Sequence, residues 1–399
     1  MRIAIVHSHL GKKGGAENII ILLANSLGAR GHEVVIFTRD YSEKLWGNPE
    51  TQKFSIRFIH TKLIPKPLRN IWLGIVLGWK LKKFDFVNPH NYPSNVWTAY
   101  ARHFYSHFPP IVWFCHEPPR SMYYHLTETH KPELFIEDCR TRKILDSVHK
   151  FFRPYRKNFE KKVDKWASTQ YWKILSNSAY TASLIEKVYG LRAHVCLLGI
   201  PLTTYQGNNI EVKNRSYASV VTRLRFHKNV DTILKAVSLV IHEKKINDFY
   251  LKIVGEGPET EKLEKLAQSL NIASNVEFLG FISEENLKNH YAKARFVIYV
   301  PLNEPFGLVT LEAMANGTPT IGTNDAGPGE VIEDGITGLT VNPLDERALA
   351  GAISRLWQDP DLCERLGLRA RKAVEDNYNS EAFANRFLSA IQETIKKEI

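Results

Sequence analysis

The sequence predicts an α/β protein of two domains, and three observations carry that expectation. The chain has 399 residues, long for one hydrophobic core and comfortable for two. Each half opens on an apolar strand, a short loop and an apolar helix: RIAIVHS before NIIILLANSLGARG in the first, ASVV before VDTILKAVSLVIHE in the second. Between the halves lies a polar stretch with Gly207, Asn208 and Asn209, the composition of a linker. The expected boundaries are a first domain over 1–200, a linker over 201–216, a second domain over 217–375 and a terminal helical segment over 376–399.

In the first half, Gly14 and Gly15 stand where the loop HLGKKGGAE meets the helix, and would let backbone amides approach a phosphate; a plain turn is the other reading. Asp40, just past the strand EVVIFT, suits a dinucleotide-binding dehydrogenase, but G-x-G-x-x-G is absent and no G-K-[ST] makes a P-loop. Residues 71–81 hold Ile71, Trp72, Ile75 and Trp79 with lysines after them. They read as a packed amphipathic helix with a basic end, the alternative being a helix lying on a membrane surface. The buried-type strand IVWFC ends in His116 and Glu117, and the top of a strand is where α/β sites lie. The stretch FFRPYRKNFEKKVDKW, with Phe159, Val163 and Trp166 at helical spacing, reads as a solvated amphipathic helix and lacks the stacking motif of an RNA-binding domain.

In the second half, Arg223 and Lys228 flank the loop between strand and helix, where two cations suit a diphosphate. Strand FYLKIV leads into Gly255, Glu256, Gly257 and Pro258, VEFLGFIS follows with Phe281, and NDAGPGE follows the strand PTIGT. Asp359 and Asp361 form an Asp-x-Asp, but at the start of a helix they read as capping residues rather than metal ligands. The stretch EPFGLVTLE sets Glu304 and Glu312 around seven residues. With Pro305 opening a helix, the amides of Phe306, Gly307, Leu308 and Val309 point unpaired at its end, where the macrodipole favours an anion. Eight helical residues span about 12 Å, so the two carboxylates would hold two ends of a ligand with phosphate in its middle. A nucleotide sugar fits; taken singly, both acids read as solvated.

EPFGLVTLE closely resembles the Glu, seven residues, Glu signature of glycosyltransferase family 4, retaining nucleotide-sugar transferases with the GT-B fold: two facing Rossmann-like domains and a C-terminal helix that returns to the first. The resemblance implies that Glu304 binds the sugar, the amides of Phe306, Gly307, Leu308 and Val309 the diphosphate, and Glu312 the ribose. It gives Arg223 and Lys228 the leaving diphosphate, places Gly255 beside the nucleotide, and has the backbone near Phe281 read the base. GGAE resembles the family's glycine loop, which puts Gly14 and Gly15 over the donor phosphates and the acceptor. His116 takes the place of the family histidine near the reacting centre, and CHEPP resembles the lipid-linked mannosyltransferase subset. The implied function is transfer of a sugar, preferably mannose from GDP-mannose, to a lipid-linked or glycan acceptor, with retention and with neither metal nor cofactor. A UDP-sugar-dependent transferase of the same fold and a non-catalytic nucleotide-sugar-binding protein are the alternatives.

Composition bears on the partner. Residues 1–199 carry 30 Lys and Arg against 15 Asp and Glu, and residues 200–399 carry 23 against 27, so the halves stand at +15 and −4. Such asymmetry points one half at an anionic surface, membrane or nucleic acid; with no RNA-stacking motif in the chain, the expected partner is an anionic membrane surface and not nucleic acid. The longest apolar stretch, IWLGIVLGW, is too short to span a bilayer, and Cys115, Cys139, Cys196 and Cys363 match no zinc or redox spacing. The N-terminus goes straight into a strand without a signal-peptide layout. The expected location is cytoplasmic, with a peripheral place on the cytoplasmic face of a membrane.

Overall fold

The computed structural model describes residues 1–60, 68–127, 153–205 and 214–395. The chain divides into two units, Met1–Leu198 with Ser380–Ile399, and Gly199–Asn379. Residues 206–213 of the expected linker and Cys139 lie outside the described residues; Cys115, Cys196 and Cys363 are buried and free.

In the first unit, β1 (Arg2–Val6), β2 (Glu33–Thr38), β3 (Ser55–Phe58) and β4 (Phe86–Pro89) pair in the order β3-β2-β1-β4. A second sheet, β5 (Val112–Cys115), β6 (Lys173–Ser176) and β7 (His194–Val195), runs in chain order. Parallel bridges Val87–Ile111 and His90–Phe114 set β4 beside β5. All pairings are parallel, and β1, β2, β4 and β5 are almost wholly buried, as strands covered on both faces must be. Helix Gly15–Ala29 covers one face through Ile19, Ile20, Leu23, Ala24 and Leu27. The terminal helix Ser380–Ile395 belongs to this unit. Its Phe383 and Phe387 are fully buried, with Phe387 meeting Phe86 edge-on at 6.2 Å, and Arg386 Nε donates to Leu197 O at 3.0 Å.

Two helices depart from their sequence reading. Helix Arg69–Leu81 packs, but through Leu73, Leu77 and Leu81 with Gly74 and Gly78 between them. A Cβ on Gly74 would lie 2.3 Å from Tyr100 Cβ, so this inner face approaches helix Ser94–Phe104 too closely for any side chain there. Trp72, Ile75 and Trp79, expected on the packed face, are exposed, as is Leu68. The periodicity offered two apolar faces, and the one carrying glycines allowed the closer helix contact. Helix Arg153–Ser168 is not simply solvated. Its Asp164 is buried and accepts from Asn95 Nδ2 (2.9 Å), Tyr123 OH (3.0 Å) and Tyr189 OH (2.7 Å), while Phe159 is exposed.

In the second unit, β8 (Tyr217–Val221), β9 (Leu251–Val254), β10 (Val276–Gly280), β11 (Ala294–Tyr299), β12 (Thr320–Thr323) and β13 (Gly338–Val341) form one parallel sheet in the order β10-β9-β8-β11-β12-β13. This is the doubly wound order, and its strand sequence reverses between β8 and β11, where the carboxyl ends leave a crevice. The core gathers Ile233, Val237, Phe249, Ile253, Phe296, Ile353 and Trp357. Asp359 caps helix Pro360–Asn377, its Oδ1 accepting the Leu362 amide at 2.8 Å, which is the role its position suggested.

Candidate active site

The second unit assembles its candidate residues at the carboxyl ends of its strands. After β8, the Phe226–Lys228 turn ends at Asn229, whose φ is 58°. Buried Asn229 donates to Val300 O at 3.1 Å and Pro343 O at 2.6 Å, and the Leu302 amide donates to His227 O at 2.8 Å. These bonds zip the loop after β8 to the loop after β11. Lys228 Nζ consequently stands 2.7 Å from Glu304 Oε2 and 3.4 Å from Tyr299 OH. Both charged side chains are mostly enclosed, at 15% and 18% exposure, so neither is a solvated surface residue. Arg223 is exposed, and its guanidinium makes no hydrogen bond or ion pair among the described residues.

The loop after Glu304 differs from expectation. Pro305 does not open the helix, which spans Leu308–Ala315. Gly307 adopts φ 96° at the N-cap, a left-handed conformation that interrupts helical geometry and suits glycine; a Cβ there would lie 2.9 Å from both Pro328 and Tyr299. Thr310 N–H turns back to Gly307 O at 3.1 Å. The amides of Leu308 and Val309 are thus the ones at the helix end, without a hydrogen-bond partner among the described residues. Phe306 lies ahead of the helix with its ring buried. Beneath it, Gly327 N–H donates to Glu304 O at 3.0 Å, and a Cβ on Gly327 would lie 2.1 Å from Pro305 O. The glycines of NDAGPGE therefore support the Glu304 loop by close backbone packing.

Glu312 is buried within that helix, and its Oε2 accepts from the fully buried Tyr291 OH at 2.9 Å. Gly255, at φ 121°, passes so near Thr222 O that a Cβ would lie 1.9 Å away, and its amide donates to Gly280 O at 2.8 Å. Phe281 follows, 78% exposed, its amide donating to Glu256 Oε1 at 3.3 Å. Sequence reasoning passed over Asn229, Tyr299 and Tyr291, which place the charged groups without themselves looking like site residues.

The first unit gathers histidines in the corresponding place. His7 follows β1, His90 follows β4 and His116 follows β5, and all three are buried. His116 Nε2 lies 2.9 Å from His90 Nδ1, and His90 Nε2 lies 2.7 Å from Asn88 Oδ1. Burial, with a smaller contribution from His7, pushes the His116 pKa down to about 3, and burial likewise holds His90 well below the ordinary imidazole value. His7 Nδ1 donates to His90 O at 3.3 Å, while its Nε2 stands 3.2 Å from Glu17 Oε1. Gly14 is the N-cap of helix Gly15–Ala29, and a Cβ on it would meet the Glu17 carboxylate at 2.4 Å. Glu117 pairs with Arg120. Asp40 is committed elsewhere: its Oδ1 accepts from the Leu10 amide (2.7 Å) and the Gly11 amide (3.0 Å), and Oδ2 meets His9. It is spent on holding residues 9–11. A signal for His7 and His90 was present, since RIAIVH, FDFVNPH and IVWFCH are all strands ending in histidine.

Residues 13–203 match the family described as Glycosyltransferase Family 4, and residues 204–373 match Glycosyl transferases group 1. The human alpha-1,3/1,6-mannosyltransferase ALG2 is 24% identical over 409 aligned residues, covering 96% of this chain and 94% of that protein. The GDP-mannose-dependent alpha-(1-6)-phosphatidylinositol monomannoside mannosyltransferase of Mycolicibacterium smegmatis is 31% identical over 173 residues, 41% of this chain and 44% of that one. Other curated relatives likewise match over less than half of their own length. Among solved structures, Anabaena Alr3699/HepE in complex with UDP and glucose superposes with a TM-score of 0.75 at 17% identity, covering 98% of this chain and 100% of that one. The fold is GT-B.

Proposed function

Because the chain belongs to glycosyltransferase family 4, we propose that it transfers a hexosyl group, preferably mannose from GDP-mannose, from a nucleoside diphosphate sugar to a lipid-linked or glycan acceptor with retention of configuration. The observation that carries this reading is the enclosed Lys228–Glu304 pair at the crevice between β8 and β11, in one loop system with the helix end at Leu308 and Val309. The bond from the anomeric carbon to the β-phosphate oxygen breaks with its electrons on the phosphate, and the acceptor oxygen bonds to that carbon on the same face. The acceptor proton passes to the departing phosphate oxygen. Lys228, Arg223 and the amides of Leu308 and Val309 stabilise the charge growing on the diphosphate, the role a metal fills in other transferases. Glu304 accepts from sugar hydroxyls, Glu312 from the ribose, and His116 serves the reacting sugar.

The preference for GDP-mannose rests on the names of the two mannosyltransferase relatives and on the CHEPP stretch. Thermal shift across a panel of nucleotide sugars tests it. GDP-mannose should raise the melting temperature most, and a larger shift with a UDP-sugar would reassign the donor. Slow donor hydrolysis without acceptor separates an enzyme from a binding protein that has lost turnover.

The acceptor side is proposed to work at an anionic membrane surface. Among the described residues no helix is long and apolar enough to cross a membrane. Leu68, Trp72, Ile75 and Trp79 form an exposed stripe on helix Arg69–Leu81 and its first turn, with Arg69, Lys80, Lys82 and Lys83 beside it and Lys83 Nζ 5.6 Å from the Trp79 ring centre. Such a face lies in a headgroup layer, where each basic residue contributes about 1 kcal/mol. Sedimentation should show binding to anionic but not neutral liposomes, reversed by salt and lost in a Trp72→Ser/Trp79→Ser variant; indifference to both vesicle types would leave a soluble acceptor.

A further inference from the structure

We propose that Asn88 and His90 are positioning residues that dictate where His116 carries its proton, so that His116 presents Nδ1 as a bare hydrogen-bond acceptor to a hydroxyl of the sugar substrate. The second half of this statement rests on the role given to His116 above; the proton arrangement is read from geometry alone. Asn88 is fully buried, and its Nδ2 lies 2.7 Å from Val112 O, a carbonyl that only accepts. That contact fixes the amide orientation and turns Oδ1, also only an acceptor, toward His90 Nε2 at 2.7 Å. His90 Nε2 must therefore carry a proton. In a neutral His90 the other nitrogen, Nδ1, is then a lone pair, and it stands 2.9 Å from His116 Nε2, which must donate to it. In a neutral His116 the proton on Nε2 leaves Nδ1 bare, and among the described residues no group donates to it.

Burial keeps both imidazoles neutral through the ordinary pH range, because a charged ring here would sit without solvent and near His7. The ring plane is held as firmly as the proton. Phe114 stacks on His116 with centroids 4.7 Å apart and on His90 at 5.4 Å. Asn91 Oδ1 accepts the His116 amide at 3.1 Å, and Asn177 Nδ2 donates to His116 O at 3.1 Å. A ring so held can orient a hydroxyl by accepting from it, and cannot protonate a leaving group.

Nitrogen NMR of the full chain labelled at histidine, with His116 assigned by loss of its signals in His116→Gln, reads the arrangement directly. The expected spectrum has a protonated Nε2 and an unprotonated Nδ1 on His116; a protonated Nδ1 would overturn the proposal. Asn88→Asp places a carboxylate against His90 Nε2, favouring a doubly protonated His90 that donates to His116 Nε2 and drives its proton to Nδ1. In that variant kcat should fall at least about tenfold with the donor KM within about twofold, since the ring stays while its proton moves. Wild-type kcat in a folded Asn88→Asp protein whose His116 proton has moved would also overturn the proposal. If Asn88→Asp does not fold, the wild-type spectrum still decides the proton arrangement. Full turnover in His116→Ala, beside the expected wild-type spectrum, would retain the proton lock and remove the role of His116 in the reaction.

Discussion

In both units the first strand lies between the second and the fourth, so β1 with β4 and β8 with β11 leave the same crevice at their carboxyl ends. The first unit arms it with His7 and His90, and with His116 after the neighbouring β5; the second arms it with Lys228 and Glu304. Burial is the physical difference. The three enclosed histidine rings are tied by hydrogen bonds, and burial holds His90 and His116 well below the ordinary imidazole value, whereas the Lys228 ammonium and the Glu304 carboxylate stand 2.7 Å apart as an ion pair at 15% and 18% exposure. One backbone arrangement thus carries a directional, hydrogen-bonded candidate cluster in one place and an enclosed ion pair in the other.

The largest expected effect lies on the charged side. Lys228→Ala should slow transfer by about 2–4 kcal/mol of transition-state stabilisation, with an unchanged circular dichroism spectrum, and Arg223→Ala should do likewise. Near-normal turnover in a folded double variant would remove the diphosphate assignment and with it half of the contrast.

On the neutral side, His116→Ala should lower kcat by about a hundredfold while isothermal titration finds donor affinity little changed. A loss of affinity matching the loss of rate would mean that His116 binds the donor in its ground state.

Acid should also weaken the first unit. A histidine held at a pKa of about 3 takes up a proton on unfolding at any pH between that value and the ordinary 6.5, so its contribution to stability is fully present above pH 6.5 and is lost as the pH falls toward 3. The cost attached to His116 is on the order of 2 kcal/mol at pH 5. Urea midpoints of the wild type should therefore fall more between pH 7 and pH 5 than those of His116→Asn. Parallel declines would mean that the ring is protonated in the folded state.

The smallest effect concerns the ribose. Glu312→Ala should weaken binding of the free nucleoside diphosphate by about tenfold, ~1.4 kcal/mol, and Tyr291→Phe by less, because Tyr291 OH holds only one oxygen of that carboxylate. Equal affinity in all three proteins would leave Glu312 a buried structural acid.

Much of this was legible in the chain. The two apolar strand–loop–helix openings, the capping role of Asp359 and the Glu304 to Glu312 spacing are local patterns, set by residues close in sequence and by the periods of strand and helix. Two local readings failed for lack of a neighbour. Pro305 looks like a helix start until Gly307 is seen at φ 96°, packed against Tyr299 and Pro328. The helix Arg69–Leu81 has two apolar faces, and only the approach of Tyr100 to Gly74 decides which is buried.

What only the tertiary structure decided is the electrostatic state of the candidate residues. His116 is 26 residues from His90, and Lys228 is 76 from Glu304, yet each pair is within hydrogen-bond distance. Strand order and the bonds of Asn88 and Asn229 bring these groups together. Sequence determined which residue types stand at the strand ends; charge and proton position depend on enclosure and on partners distant along the chain, and those exist only once the sheets have formed.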